Sequence, residues 1–358
     1  MKFHSLPIKR LDRLTADSVR LHLDTSNASE EFNYHAGQYI TIRFNLKNEE
    51  LHRAYSICSA PHESDLSVAV KEVKGGRASS YINQNLREGD LIEVMAPQGN
   101  FLIQPDNSKS RHVVLFASGS GITPIISIAK TILQEEKNSK VTLFYGNSNK
   151  QTIMFYDELD ALAKETKFNV IHVLSDGSLD VPLFNGRINF GKTLELLHNF
   201  VTDDLAKEYF ICGPAGMMSA VNNALQDNGA AKESIHIEFF ENPGQEFQKP
   251  EAEAPVEEVI LEPYDGSAQI EVTLDDDINT FEIKGDKLNI LEAAIKAGID
   301  PPYSCRGGVC TTCRAKLTEG KVSMDSNFAL TDEEINDGYI LTCQAHPLTK
   351  TLKINYDD

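Results

Sequence analysis

No stretch of the sequence approaches the about 20 consecutive apolar residues that a membrane-crossing helix requires, which excludes a chain that spans a bilayer by helices. The opening residues MKFHSLPIKRLDRLTADSV hold no apolar export core and read straight into mature structure, so a cytoplasmic protein is expected. Basic side chains are scarce. The 34 Lys and Arg stand against 53 Asp and Glu, a balance that argues against a nucleic-acid partner, which needs a basic face. The ten histidines are scattered with no H-E-x-x-H spacing, and none is assigned a metal. Tryptophan is absent, but a chain 41% hydrophobic and 24% charged is otherwise ordinary folded protein.

Cysteine is sparse as well, and four of the six fall into one arrangement. Cys305, Cys310 and Cys313 lie in PYSCRGGVCTTC, and Cys343 follows in LTCQAHP. C-x4-C-x2-C with a distant fourth thiol is the plant-type spacing that holds a 2Fe–2S cluster, with a potential typically near about −400 mV. A zinc site would more often show paired C-x2-C knuckles, and a disulfide framework belongs to short secreted chains. Gly307 and Gly308 allow the backbone to wrap closely around such a cluster. The pattern points to a protein that handles single low-potential electrons. Cys58, outside it, reads as a small buried residue.

The length of 358 residues predicts two to three domains, and the rhythm of the sequence separates them. Residues 1–106 show short alternating strands broken by turns, as in GQYITIRF, where Ile40, Ile42 and Phe44 share a face. That is the pattern of an antiparallel β-barrel. Residues 107–245 alternate strand and helix, from HVVLFAS and PIISIAKTILQEE to KEYFICG, MMSAVNNALQDNG and SIHIEFF. Repeated β–α pairs predict an α/β domain with a parallel sheet. Residues 246–265, rich in Glu, Pro and Ala, read as an acidic, extended linker. Residues 266–358 read as an α+β domain: a hairpin from QIEVTL and NTFEIK, the helix NILEAAIKAG, the cysteine loop, the strand RAKLTEGKV and a helix opened by a Thr331–Glu334 capping box. Of the net charge of −19, the linker carries −6 and the last segment −7. Acidity there suits solubility and equally steering toward a basic electron acceptor.

Several short motifs carry further chemistry. Arg53-Ala54-Tyr55-Ser56 ends a strand and places a cation and an aromatic ring on one face, a set that suits a phosphate and a flat ring. Gly75-Gly76-Arg77-Ala78-Ser79-Ser80 opens a helix-like stretch whose N–H groups and hydroxyls make a pyrophosphate site. Gly119-Ser120-Gly121-Ile122-Thr123-Pro124 follows the first strand of the α/β segment and is a partial dinucleotide fingerprint. Cys212-Gly213-Pro214 is a second strand-to-helix turn at the same sheet edge, where the thiol could pack against a nicotinamide.

Together with Glu238-Phe239-Phe240, these motifs resemble the ferredoxin–NADP⁺ reductase superfamily. The order flavin–nicotinamide–ferredoxin, with EVMAPQGNF and CRGGVCTTC, is similar to that of flavin/iron–sulfur reductases of multicomponent oxygenases, those of phenylacetyl-CoA epoxidase type foremost. The resemblance implies FAD, a β-grasp ferredoxin domain with a 2Fe–2S cluster, and NADH or NADPH as the electron source. It implies that Arg53 binds an FAD phosphate, Tyr55 stacks on the isoalloxazine and Ser56 hydrogen-bonds near N5. Gly76, Ser79 and Ser80 would hold the pyrophosphate, and Gly121, Thr123, Cys212 and Gly213 would shape the nicotinamide pocket. Glu238 and Phe240 would close the flavin's other face, and Cys305, Cys310, Cys313 and Cys343 would ligate the cluster. Related sequences often place an arginine for the 2′-phosphate where this chain has Ser175 and Asp176. The acidic side chain favours a free ribose hydroxyl, so NADH is expected over NADPH, with Lys150 or Arg187 as the cations that would reverse this. Reductases of fatty-acid desaturases, Rieske hydroxylases and the hybrid-cluster protein share the layout, so the acceptor stays open. A non-catalytic electron carrier or redox sensor is the alternative from another class, opposed by the RAYS and GGRASS pair.

Overall fold

The computed structural model describes residues 2–242, 266–284 and 288–358. The linker read over residues 246–265 lies outside the described residues.

The N-terminal part is a six-stranded antiparallel sheet built from β1 (His4–Thr15), β2 (Ser18–Leu23), β3 (Tyr39–Leu46), β4 (Glu49–Ser56), β5 (Leu66–Lys71) and β6 (Leu91–Val94), in the order β4-β3-β6-β1-β2-β5. Helix α1 (Arg77–Gln84) packs against it. Ile40, Ile42 and Phe44 enter one apolar core with Leu21, Val68 and Ile82. The β3–β4 hairpin turns on Lys47 and Asn48, both left-handed at φ 54° and 60°, which is the two-residue turn whose twist matches its strands.

The second part is a parallel sheet of β7 (Arg111–Ser118), β8 (Lys140–Asn147), β9 (Phe168–Leu174), β10 (Ala206–Cys212) and β11 (Ile235–Glu238), in the order β11-β10-β7-β8-β9. Helices α2 (Ile122–Glu135), α3 (Tyr156–Leu162), α4 (Phe190–Phe200) and α5 (Ala215–Asp227) connect the strands. Strand order reverses beside β7, so the β7–α2 turn lies at the switch point where such sheets bind ligands. The MFYDELDALAKE segment starts its helix only at Tyr156, because Phe155 takes a left-handed φ of 59°.

The C-terminal part is a five-stranded sheet, β13-β12-β18-β14-β16, made of β12 (Ser267–Leu274), β13 (Asp277–Lys284), β14 (Arg314–Glu319), β16 (Tyr339–Leu341) and β18 (Thr351–Asn355). Helices α6 (Ile290–Lys296) and α7 (Asp332–Asn336) accompany it. Asp275 and Asp276 make the hairpin turn, and the Asp357 carboxylate accepts both their N–H groups at 2.8 and 2.9 Å. The capping box at Thr331 and Glu334 is formed in both directions. One expectation changes. RAKLTEGKV is not a single strand but breaks at Gly320, and its second half becomes β15 (Val322–Met324), paired with β17 (Ala345–Pro347). Gly320 turns at φ 94°, and a Cβ there would lie 2.4 Å from the Thr351 carbonyl oxygen, so no other residue fits.

Candidate active site

Two strand-to-helix turns meet at the carboxyl edge of the parallel sheet. A Cβ on Gly121 would lie 2.1 Å from the Cys212 carbonyl oxygen; glycine is therefore what allows the β7–α2 and β10–α5 turns to touch. Gly213 is hemmed in by Met217 Cε and Ser118 in the same way. The Thr123 hydroxyl donates to Ser120 O at 3.1 Å and fastens the first turn. Neither α2 nor α5 has a side-chain cap; α2 continues from the Gly119–Gly121 turn with its Ile122 N–H already paired, whereas the first N–H groups of α5, at Ala215 and Gly216, are left for a ligand. Two clefts open here. One of about 650 Å³ runs past Ser118, Ser148, Ser175 and Arg187. The other, of about 590 Å³, reaches Gly121, Gly213 and Phe240, and Lys71 lines both. Asp176 turns back on its own loop, where Oδ1 accepts the Ser178 N–H at 3.1 Å.

Cys212 pairs in register with Glu238 on the adjoining strand. Burial pushes the Glu238 carboxyl up to about 8 and pushes the Cys212 thiol well above its ordinary value, with Glu238 adding to the latter. Both shifts favour the protonated form. Phe240, two residues on, is 45% exposed.

On the barrel side, Ser56 is buried at the end of β4, Tyr55 packs half-buried against the barrel core, and Arg53 is exposed. The Arg53 guanidinium donates to His52 O at 2.7 Å. Gly76 precedes α1 with no side-chain cap, so this helix too presents unpaired donors. The Ser79 hydroxyl accepts the Val73 N–H at 3.1 Å; Ser79 holds the turn's shape, and Ser80 is the half-buried hydroxyl beside it. The uncapped starts of α1 and α5, a guanidinium and two aromatic rings fit a dinucleotide and a flavin carrying a pyrophosphate.

The four C-terminal thiols converge as two pairs. Cys310 Sγ donates to Cys305 Sγ at 3.1 Å, and Cys313 donates to Cys343. The Cys310 contact, followed by the Gly307, Val309 and Cys310 N–H groups, holds Cys305 down at about 6 against burial. Arg306 and Gly308 take left-handed φ of 55° and 75°, and a Cβ on Gly308 would lie 2.7 Å from Ser326 O. Four soft donors in two pairs, ringed by N–H groups aimed at sulfur, fit a 2Fe–2S cluster.

The cysteine loop lies against the barrel. The Tyr39 hydroxyl accepts the Thr311 N–H at 3.1 Å and lies 3.3 and 3.2 Å from the Thr311 and Thr312 hydroxyls. His52 Nδ1 donates to Tyr303 O at 2.9 Å while its ring stacks on Tyr303. A crevice of about 360 Å³ is lined jointly by Tyr39, Glu238, Phe239, Cys310 and Thr311.

Comparison with known proteins agrees with this geometry. Family models match residues 5–103 as an oxidoreductase FAD-binding domain, 115–223 as an oxidoreductase NAD-binding domain and 272–348 as a 2Fe-2S iron-sulfur cluster binding domain. The chain is 36% identical over 358 residues to a subunit of the 1,2-phenylacetyl-CoA epoxidase of Escherichia coli, covering 99% of this chain and 98% of that one. The chain belongs to this family of FAD- and NAD-binding iron–sulfur reductases. The ferredoxin reductase component of a Rhodococcus rhodochrous 3-ketosteroid-9-alpha-monooxygenase is 34% identical over 332 residues, covering 91% of this chain and 89% of that one. Phthalate dioxygenase reductase shares the fold, with a TM-score of 0.60 at 22% identity over 99% of this chain and 98% of that chain.

The reductase is thus an oxidoreductase that uses FAD, a nicotinamide and a 2Fe–2S cluster. Among the described residues no helix is long and apolar enough to cross a membrane. Sequence reasoning missed Lys71, although it closes a strand beside both clefts, and it missed Tyr39 and His52. Their only sequence signal is a polar-tipped ring in a strand that adjoins the RAYS motif.

Proposed function

We infer that this reductase draws electron pairs from NADH and delivers single electrons to a partner oxygenase of the phenylacetyl-CoA epoxidase type. The observation that carries the reading is the shared crevice, where the sheet edge bearing Glu238, the barrel strand bearing Tyr39 and the cluster loop bearing Cys310 meet. The full-length likeness to the Escherichia coli epoxidase protein supports the acceptor class. When bound, FAD takes up a hydride and yields its electrons one at a time, and the iron–sulfur cluster carries them onward.

The chain's own residues position and insulate. Gly121 and Gly213 admit the nicotinamide to the sheet edge. The Cys212 thiol packs there without adding charge, and the Glu238 carboxyl, its protonated form favoured by burial, can donate a hydrogen bond. Arg53, with Gly76, Ser79 and Ser80 at the start of α1, would bind the flavin's phosphates; Tyr55 and Phe240 would lie against its ring and Ser56 would hydrogen-bond its edge. Cys305, Cys310, Cys313 and Cys343 ligate the cluster. A reducing cytoplasm suits four free thiols. The ultraviolet–visible spectrum of the purified, reconstituted chain tests the reading: flavin and iron–sulfur bands must both appear and both bleach on anaerobic NADH. A flavin that bleaches beside an unchanged iron–sulfur band refutes it.

Nicotinamide choice rests on the loop after β9. Ser175 lines the cleft and Asp176 stands beside it, which favours a free ribose hydroxyl, whereas Arg187 in the same lining would favour a 2′-phosphate. We expect kcat/KM to be higher for NADH by about tenfold, the scale of one good polar contact. A preference for NADPH would instead assign the site to Arg187.

A further inference from the structure

We propose that Tyr39 is a positioning residue that holds the cluster loop in register with the flavin site, and so sets how fast electrons leave the flavin. The proposal rests on the electron path inferred above. One residue touches both sites. The main chain of Tyr39 pairs with Ser56, the residue at the flavin edge, in the β3–β4 register. On its other side it exchanges both hydrogen bonds with Gln98, each at 2.9 Å. The side chain, only 4% exposed, runs from this doubly fixed backbone to the loop between Cys310 and Cys313. There the hydroxyl accepts the Thr311 N–H at 3.1 Å and meets the Thr312 hydroxyl at 3.2 Å. Gly99 makes the passage for the ring. It turns at φ 112°, and a Cβ on it would lie 2.9 Å from Tyr39 Cδ1 and Cε1.

A buried hydroxyl with three polar neighbours from the other module is a directional link. An apolar seam would tolerate small slides of one surface over the other, whereas this link fixes one loop position. Each transfer moves one electron from the reduced flavin to the oxidised cluster, and no bond to Tyr39 forms or breaks. Tyr39 contributes geometry, and small displacements between reacting centres are costly.

The test is Tyr39→Phe in the full-length, cofactor-loaded chain, which keeps the ring and removes the link. Hydrogen–deuterium exchange of the peptide containing Thr311 should rise. In stopped flow with NADH, the flavin band should bleach within about twofold of the normal rate while the iron–sulfur band bleaches about tenfold more slowly. Asn100→Ala, which removes a different contact between the modules, should leave the iron–sulfur bleaching rate within about twofold of normal. Iron–sulfur bleaching in Tyr39→Phe at the normal rate, unchanged exchange, or equal slowing in Asn100→Ala would each overturn the proposal. If Tyr39→Phe does not load its cofactors, Thr312→Val removes one hydroxyl from the same link and should slow iron–sulfur bleaching about twofold; no slowing there would overturn it too. Failure of the unaltered chain to bleach its cluster would count against the proposed function instead.

Discussion

The barrel meets its two neighbours in opposite ways. Toward the parallel sheet the seam is a core. Ala36, Cys58, Ala69 and Phe101 share one apolar cluster with Ile122, Ile125 and Ile128 of α2. A group of charges also crosses it: Lys130 Nζ bonds Glu63 at 2.9 Å and Glu158 at 3.0 Å, and Arg20 reaches Glu158 at 3.1 Å. Toward the ferredoxin module the seam is a set of separate contacts, Tyr39 to Thr311, His52 to Tyr303 and Asn100 to Glu334. The parallel sheet meets the ferredoxin module separately, through Asn242 on Ser326, Phe239 on Phe328 and the packing of Val309. Opening the first seam would strand buried charge, which is costly. Opening the second exchanges hydrogen bonds with water at a net of roughly 1 kcal/mol each. Flavin and nicotinamide sites are therefore built as one unit, and the cluster is docked onto it.

The comparison can be broken most severely at Lys130, 7% exposed in its side chain. Lys130→Ala leaves Glu63 and Glu158 to Arg20 alone, at 3.8 and 3.1 Å, and should lower stability by about 2 kcal/mol, read as a shift in the urea midpoint with the ferredoxin module's own stability unchanged. Acidification should act on the other seam. His52 faces Glu50, Arg43, Phe3 and Tyr303, and burial, opposed by Tyr303 and Glu50, lowers its pKa. The folded form therefore binds fewer protons at His52 than the unfolded one. The stability of this seam should be full above the ordinary histidine value of about 6.5 and weaken as pH falls below it. Exchange of the loop holding Tyr303 should rise below that pH, and His52→Phe should flatten the profile. The smallest effect is expected at Asn100→Ala, about 0.5 kcal/mol or less in global stability, with faster exchange confined to the segment around Glu334. A drop of several kcal/mol there would mean that the two seams do not differ.

Much of this arrangement was legible in the sequence because local rules carry it. The β–α alternation after Arg111, the hairpin before Lys284 and the capping box at Thr331 each lie within a few residues of chain, and each formed. The cysteine spacing likewise brings its thiols together through backbone turns at Arg306 and Gly308. Long-range requirements were not legible. Tyr39 and Thr311 stand 272 residues apart, and no local pattern marks either as the other's partner. RAKLTEGKV read as one strand; only the approach of the Thr351 carbonyl to Gly320 shows why the chain must change sheets there. Asp176 read as favouring a ribose hydroxyl and Arg187 a 2′-phosphate, but the sequence could not reveal that Asp176 Oδ1 is engaged with Ser178.

Glu334 carries a consequence for the moment of separation. Its Oε2 accepts the Thr331 N–H at 2.9 Å as well as Asn100 Nδ2 at 2.8 Å, while Oε1 holds Arg314 at 2.7 Å. When Asn100 withdraws, this carboxylate still has two partners inside its own module, so letting go of the barrel unravels nothing. The ferredoxin end is wired to survive being unplugged.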